Sequence, residues 1–257
     1  MTDNSIAIET FKLTKNFGNL TAVNKLNLKV KSGEIFGFLG PNGAGKTTTI
    51  KLMTGLLKPT SGTVKIIGKD IQEDPIGAKK NIGLIPDEPQ IYEKLTGIEF
   101  LRFMGNLFGM DRKEIETKIK ELLKLFDLTG RGEGLIQSYS HGMKQKMAIA
   151  GALIHSPRVL FFDEPTVGLD PKSAKIIKDI LKFRAKSGDC VFMSTHILEI
   201  AERICDRVGI INNGELVAVG DMDELRKISK EEKGNLEEIF LQLTGGDEDT
   251  DIIKSLT

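Results

Sequence analysis

Apolar and polar positions alternate through the first thirty residues. Ile6, Ile8, Phe11 and Leu13 are spaced two or three apart. Val23, Leu26, Leu28 and Val30 repeat the pattern before a turn at Lys31-Ser32-Gly33. Successive side chains of a strand point to opposite faces, so this pattern predicts antiparallel strands with one wet face. The pattern then changes. Glu34 to Leu39 is almost wholly apolar, as expected of a strand covered on both faces. A glycine-rich segment follows, and then helical sequence predicted to run to about Leu57. Similar apolar runs recur at Ile82–Ile85, Val159–Phe162, Cys190–Met193 and Val208–Ile211, each expected to lead through a polar cluster into helix. That alternation predicts a parallel sheet of the α/β class.

Between Gly97 and about Ser156 the spacing is helical. Ile98, Leu101, Met104, Leu107 and Phe108 share one face; Ile115, Ile119, Leu122, Leu123 and Phe126 share another. Asp111 and Glu114 are placed as a capping box. An all-helical insertion within an α/β domain is therefore expected. After Gly220 two short helical segments lead to an acidic stretch, Gly245 to Asp251, expected to fray. The expected organisation is one domain over residues 1–220, with its helical insertion at about 97–156, and a C-terminal helical extension over 221–257.

Composition narrows the classes. Lys and Arg number 36, Asp and Glu 36, so the formal charge is +0 in a chain of 257 residues. A hydrophobic content of 40% excludes disorder as the main description. Zero balance argues against a bulk electrostatic partner, so no nucleic acid is expected. No apolar run approaches the roughly 20 residues a membrane helix needs. The opening MTDNSIAIET shows no secretory signal. Cys190 and Cys205 lack any ligand-like spacing and are expected to be buried, reduced thiols. Glycine stands out, with 27 residues against an average of about 7%.

Eight of the glycine-rich residues carry chemistry. Gly40-Pro41-Asn42-Gly43-Ala44-Gly45-Lys46-Thr47 fits G-x-x-x-x-G-K-[ST] between a buried strand and a helix, the pattern of a phosphate loop. Glycines let successive backbone N–H groups turn toward phosphate oxygens, and the helix start adds positive potential. Lys46 supplies a cation for the β- and γ-phosphates, and Thr47 a hydroxyl for Mg²⁺. Such a loop calls for an acid that holds metal on a neighbouring strand. Val159-Leu160-Phe161-Phe162 delivers Asp163 at a strand's carboxyl end, and Glu164 follows, placed to orient and deprotonate an attacking water. After the next strand comes Ser194-Thr195-His196, which puts His196 near the γ-phosphate or that water.

The ordered set Gly40–Thr48, Tyr139-Ser140-His141-Gly142-Met143, Phe162-Asp163-Glu164-Pro165, Gly168-Leu169-Asp170 and Thr195-His196 resembles the ATP-binding-cassette (ABC) family, over about residues 6 to 220. The resemblance implies an α/β P-loop NTPase with an antiparallel β subdomain and an all-helical insertion. It implies ATP and Mg²⁺ as cofactors, and two cassettes packed head to tail around two ATP molecules. By resemblance Thr48 also belongs to the phosphate site, and Phe17 matches an aromatic that stacks on adenine. Ser140 and Gly142 would face the γ-phosphate held by the other subunit, on a helix expected from about Met143 to Ile154. Asp170 starts a helix by itself, and the resemblance adds a contact across the dimer.

Two departures from the family pattern stand out. The usual Leu-Ser-Gly-Gly-Gln is here Tyr139-Ser140-His141-Gly142-Met143, and His141 is tolerable only with negative φ. The glutamine that senses metal and membrane subunit is replaced by Asp87, with Glu88 and Gln90 as alternatives for its role. Both departures resemble ATPase subunits of multidrug, antibiotic or ABC-2 exporters. The resemblance thus implies an ATPase at the cytoplasmic face of the membrane. Its partners would be a second copy or a paralogous ATPase subunit, and separate integral-membrane permease subunits. The expected receiver is the surface of Pro86 to Leu95 with Phe100, Phe103 and Phe108, although as lone aromatics these residues suit the core. The competing class is a soluble ABC ATPase without a membrane partner, such as one for Fe–S cluster assembly. Its signature region differs from Tyr139–Lys146.

Overall fold

The structure, a computed structural model, describes residues 5–164, 170–229 and 234–245. The opening alternation forms a hairpin of β1 (Ile6–Phe17) and β2 (Leu20–Lys31). Ile8, Leu13, Val23, Leu26, Leu28 and Val30 are buried, but Phe11 faces solvent. Phe11 stands an odd step from Ile8, which turns it to the other face. A bulge between Thr10 and Leu13, with Lys12 at φ 46°, then returns Leu13 to the core.

The buried run forms β3 (Ile35–Leu39), and the next helix is α1 (Lys46–Met53). It stops short of the expected Leu57 because Gly55 turns left-handed at φ 68°. Next come β4 (Ser61–Ile66), β5 (Lys69–Asp70), α2 (Pro75–Lys79) and β6 (Ile82–Ile85). The two unanticipated strands extend the hairpin into a four-stranded antiparallel sheet, β2-β1-β4-β5.

The insertion is helical as expected: α3 (Gly97–Leu107), α4 (Arg112–Leu125) and α5 (His141–Leu153), with single 3₁₀ turns at Thr129–Arg131 and Ile136–Ser138. The capping box lies elsewhere than predicted. Asp111 caps α4 by accepting from the Lys113 N–H, without a reciprocal bond from Glu114. Within the insertion the reciprocal pair is Thr96 and Glu99, at the start of α3. Asn235 and Glu238 form another near the C-terminal end of the described residues.

The remaining elements are β7 (Val159–Asp163), α6 (Pro171–Lys186), β8 (Cys190–Thr195), α7 (Leu198–Ile204), β9 (Arg207–Asn212), β10 (Glu215–Gly220), α8 (Met222–Ser229) and α9 (Leu236–Thr244). The expected acidic stretch beyond Gly245 lies outside the described residues. The main sheet runs β10-β9-β3-β8-β7-β6. Five of its strands are parallel, and β10 is antiparallel to β9. The expectation that helix follows every buried run thus fails after β9. Asn213 and Gly214, at φ 46° and 80°, make a tight turn back into β10 instead.

Period-two alternation gives the main sheet two dry faces. Phe36, Phe38, Phe161 and Phe192 point toward the antiparallel sheet and α1, with ring centroids 5.3 to 5.6 Å apart around Phe192. Ile35, Leu160, Phe162, Val191 and Met193 point the other way, into the helical insertion and α6. A third cluster joins Leu39, Val208 and Ile210 to Leu225, Leu236 and Ile239 of the last two helices. Among the described residues no helix is long and apolar enough to cross a membrane. Cys190 is buried and Cys205 half-buried, neither in a disulfide; burial pushes the Cys205 thiol up to about 12.

Candidate active site

The carboxyl ends of β3, β7 and β8 open into a cleft of about 480 Å³. Of the residues singled out in the sequence, Phe17, Asn42, Gly43, Gly45, Lys46, Thr47, Thr48, Asp87, Asp163, Glu164 and His196 line it. Gly40, Pro41 and Ala44 complete the loop behind that lining. Leu20 and Ala22 line it too and were missed. They reach the cleft from the β1–β2 hairpin, a different sheet, which no local sequence signal foretells.

The loop is held where only glycine fits. A Cβ on Gly40 would lie 2.3 Å from the Ile211 carbonyl oxygen, and one on Gly45 2.4 Å from that of Ala22. Gly45 also sits at φ 106° at the start of α1 and offers no side-chain cap. The first N–H groups of α1 are therefore left for an anion. Lys46 is buried, its Nζ donating to the carbonyl oxygens of Gly40 at 2.7 Å and Pro41 at 3.1 Å. Burial lowers its pKa, opposed by the charges of Glu164 and Asp163.

Across the cleft stand three carboxylates. Asp163 ends β7 and accepts a 2.5 Å hydrogen bond from the Ser194 hydroxyl. Its strand is not the neighbour of β3, as expected, but the next but one, because β8 lies between them. That order brings Asp163 and His196 to the same end of the sheet. Glu164 takes φ 57°, with its N–H bonded to the Ser194 carbonyl at 3.2 Å. Its Oε1 accepts from His196 Nδ1 at 2.8 Å, a pairing that assigns the ring proton to that nitrogen. Its Oε2 is buried with no hydrogen-bond partner among the described residues. Asp87 completes the trio. Burial raises its pKa first, then the nearby charges of Asp163 and Glu164.

These donors fit Mg²⁺. It takes oxygen ligands, commonly one or two carboxylates together with substrate phosphates and water. Among the described residues no three acidic side chains close into a metal cage by themselves, but Asp163 and the Thr47 hydroxyl line the same cleft and leave the other positions to phosphate and water. Of the three alternatives at the end of β6, Asp87 lines the cleft, whereas Gln90 lines a separate groove.

That second groove, about 360 Å³, lies between β6, α3 and α5. Phe100 is buried in its floor, and Phe103 and Leu107 are exposed at its rim. Phe108 stacks flat on His155, ring centroids 3.5 Å apart.

Ser140 and Gly142 do not line the cleft. They sit at the start of α5, where the Ser140 hydroxyl accepts from the Met143 N–H at 3.3 Å. The helix begins at His141, two residues before the predicted Met143. His141 thereby has a helical backbone with negative φ, which is how a residue with a Cβ replaces the usual glycine. Asp170 caps α6, accepting from the Ser173 N–H at 3.0 Å. The neighbouring motif residues Pro165, Gly168 and Leu169 lie outside the described residues.

Comparison with known proteins gives consistent matches. The sequence profile described as "ABC transporter" matches residues 23–167. The chain is 38% identical, over 85% of its length, to a linearmycin resistance ATP-binding protein of Bacillus subtilis, covering 70% of that protein. It is 41% identical, over 87% of its length, to a bacitracin transport ATP-binding protein of Bacillus licheniformis, covering 72% of it. A solved dimeric ATP-binding cassette, in a post-hydrolysis state bound to ADP and Pi, superposes with a TM-score of 0.75 at 26% identity. That match covers 84% of this chain and 98% of the other.

Proposed function

Because the chain belongs to the ABC transporter family and carries its ATPase fold, we propose that it is the ATP-hydrolysing subunit of an exporter, driving separate membrane subunits. The observation that carries this reading is the cleft itself. Phosphate loop, Asp163 and the Glu164–His196 pair converge there from three strands of one sheet.

In this reading Phe17 stacks on the adenine, with Leu20 and Ala22 beside it. The loop N–H groups and Lys46 bind the phosphates, which frees Lys46 from its present carbonyl partners. Thr47 and Asp163 would hold Mg²⁺, with Asp87 beside them in the same cleft. The metal would neutralise charge developing on the transferred phosphoryl group. Glu164 has one carboxylate oxygen committed to His196. The Glu164 carboxylate, held in place by His196, takes the proton from the attacking water. His196 orients that carboxylate and faces the γ-phosphate. Water adds to the γ-phosphorus, the bond to the β-phosphate oxygen breaks, and ADP and phosphate leave.

Ser140 and Gly142, outside this cleft, serve the nucleotide of a second copy or a paralogous subunit. The same helix start that caps α5 offers an anion site. The apolar groove beside Pro86 to Leu95, rimmed by Phe103 and Leu107, receives the membrane subunit and places the chain at the cytoplasmic face of the membrane. Export is supported by the names of the resistance and antibiotic-transport relatives.

Glu164→Gln tests the assignment. ATP binding is retained, turnover falls about 100-fold or more, and an ATP-bound dimer accumulates in size-exclusion chromatography. Hydrolysis near the wild-type rate would refute Glu164 as the base. Copurification of a polytopic membrane protein from native membranes tests the transporter reading.

A further inference from the structure

The segment leaving the cleft at Asp87 is tied to the segment entering α5. The main chain joins them through Gln137 N–H to Glu93 O and Ile136 N–H to Leu95 O, both 2.9 Å. Ile98 N–H to Gly132 O at 3.0 Å and Gly97 N–H to Gly134 O at 3.3 Å continue the seam. These bonds stop before Ser140. One side-chain contact goes further: Lys144 Nζ is paired with Glu93 Oε1. Glu93 lies six residues beyond Asp87, and Lys144 two beyond Gly142. The pair therefore spans from the loop that carries Asp87 to the first turns of the helix carrying Ser140 and Gly142.

Neither residue has a part in the reaction above. As an ion pair in partial contact with water, the contact adds little to stability. Its effect is geometric, since it fixes the first turns of α5 against the loop. Carboxylates crowd Asp87, so nucleotide and cation entering the cleft change the forces on that loop. Only a contact that differs between the two states can pass this on.

We propose that Glu93 and Lys144 are positioning residues that couple occupancy of the chain's own cleft to the presentation of Ser140 and Gly142 to a second copy. The proposal rests on the reading that those two residues face a nucleotide held by another subunit. The test uses the full chain with Glu164→Gln, in MgATP, with dimer affinity measured by analytical ultracentrifugation. In that background Glu93→Lys and Lys144→Glu each weaken the dimer about 2- to 5-fold. Lys144→Gln, which keeps length but loses charge, weakens it in the same direction. Monomer affinity for a fluorescent ATP analogue and the thermal midpoint stay unchanged. The charge-swapped double variant restores the parental dimer affinity, which a general packing lesion would not. Single variants that dimerise like the parent, or a double variant no better than the weaker single, overturn the coupling. A parent that never dimerises with MgATP overturns the two-copy reading instead, and the proposal with it.

Discussion

Glu164 and His196 are 32 residues apart in sequence yet joined by a 2.8 Å hydrogen bond. Their bond shows what could and could not be read at the scale of single residues. Lys46, Asp163, Glu164 and His196 were legible because each follows an apolar run that had to be a buried strand. Their direct contact was not, since it depends on strand order. A second histidine, His155, tests the interior rather than the reaction. Its Nε2 bonds the Ile82 carbonyl at 2.9 Å and its ring lies on Phe108. Burial lowers its pKa from 6.5 to about 4. The neutral ring is thus favoured in the fold, and the stability it contributes is fully present above pH 6.5 and lost as pH falls toward 4. Replacing His155 with Phe flattens the acid limb of a pH series of denaturation midpoints between those values. A limb as steep as the wild type's would assign it to other groups.

At the scale of elements, long periodic segments were readable and short ones were not. β4 turns only Val64 and Ile66 inward, and β5 has two residues, too few to establish a period. β10 hid behind the assumption that helix follows each parallel strand. Caps were harder still: Asp111-x-x-Glu114 and Thr96-x-x-Glu99 have the same spacing, yet only the second closes both bonds. Thr96→Ala therefore costs about 1 kcal/mol of unfolding free energy in urea titration. Glu114→Ala stays within about 0.5 kcal/mol.

At the scale of the molecule, the alternation of apolar strands and helices predicted one parallel sheet, and the sheet is there. Its order, β10-β9-β3-β8-β7-β6, was not predictable from local pattern, because pairing between strands distant in sequence leaves no local mark. This order unites the cleft from distant segments, so a ligand there should stabilise the whole fold. At 100 times its dissociation constant, MgATP adds about 2.7 kcal/mol and raises the thermal midpoint by several degrees. Lys46→Ala, which removes the loop's cation, abolishes most of that rise in differential scanning calorimetry. A full rise in the variant would mean that ATP binds elsewhere.

The left-handed backbone of Glu164 carries a consequence for how such a protein evolves. An ordinary side chain held at φ 57° costs on the order of 1 kcal/mol that glycine would not incur. Its Oε2, buried without a partner among the described residues, adds a desolvation cost of its own. The position is therefore among those where sequence drift toward greater stability runs against turnover. A lineage released from the need to hydrolyse ATP would be expected to lose this residue early, even while its phosphate loop and sheet stayed intact. Among related chains, the identity of that one residue would then mark which still work as engines and which persist only as folds.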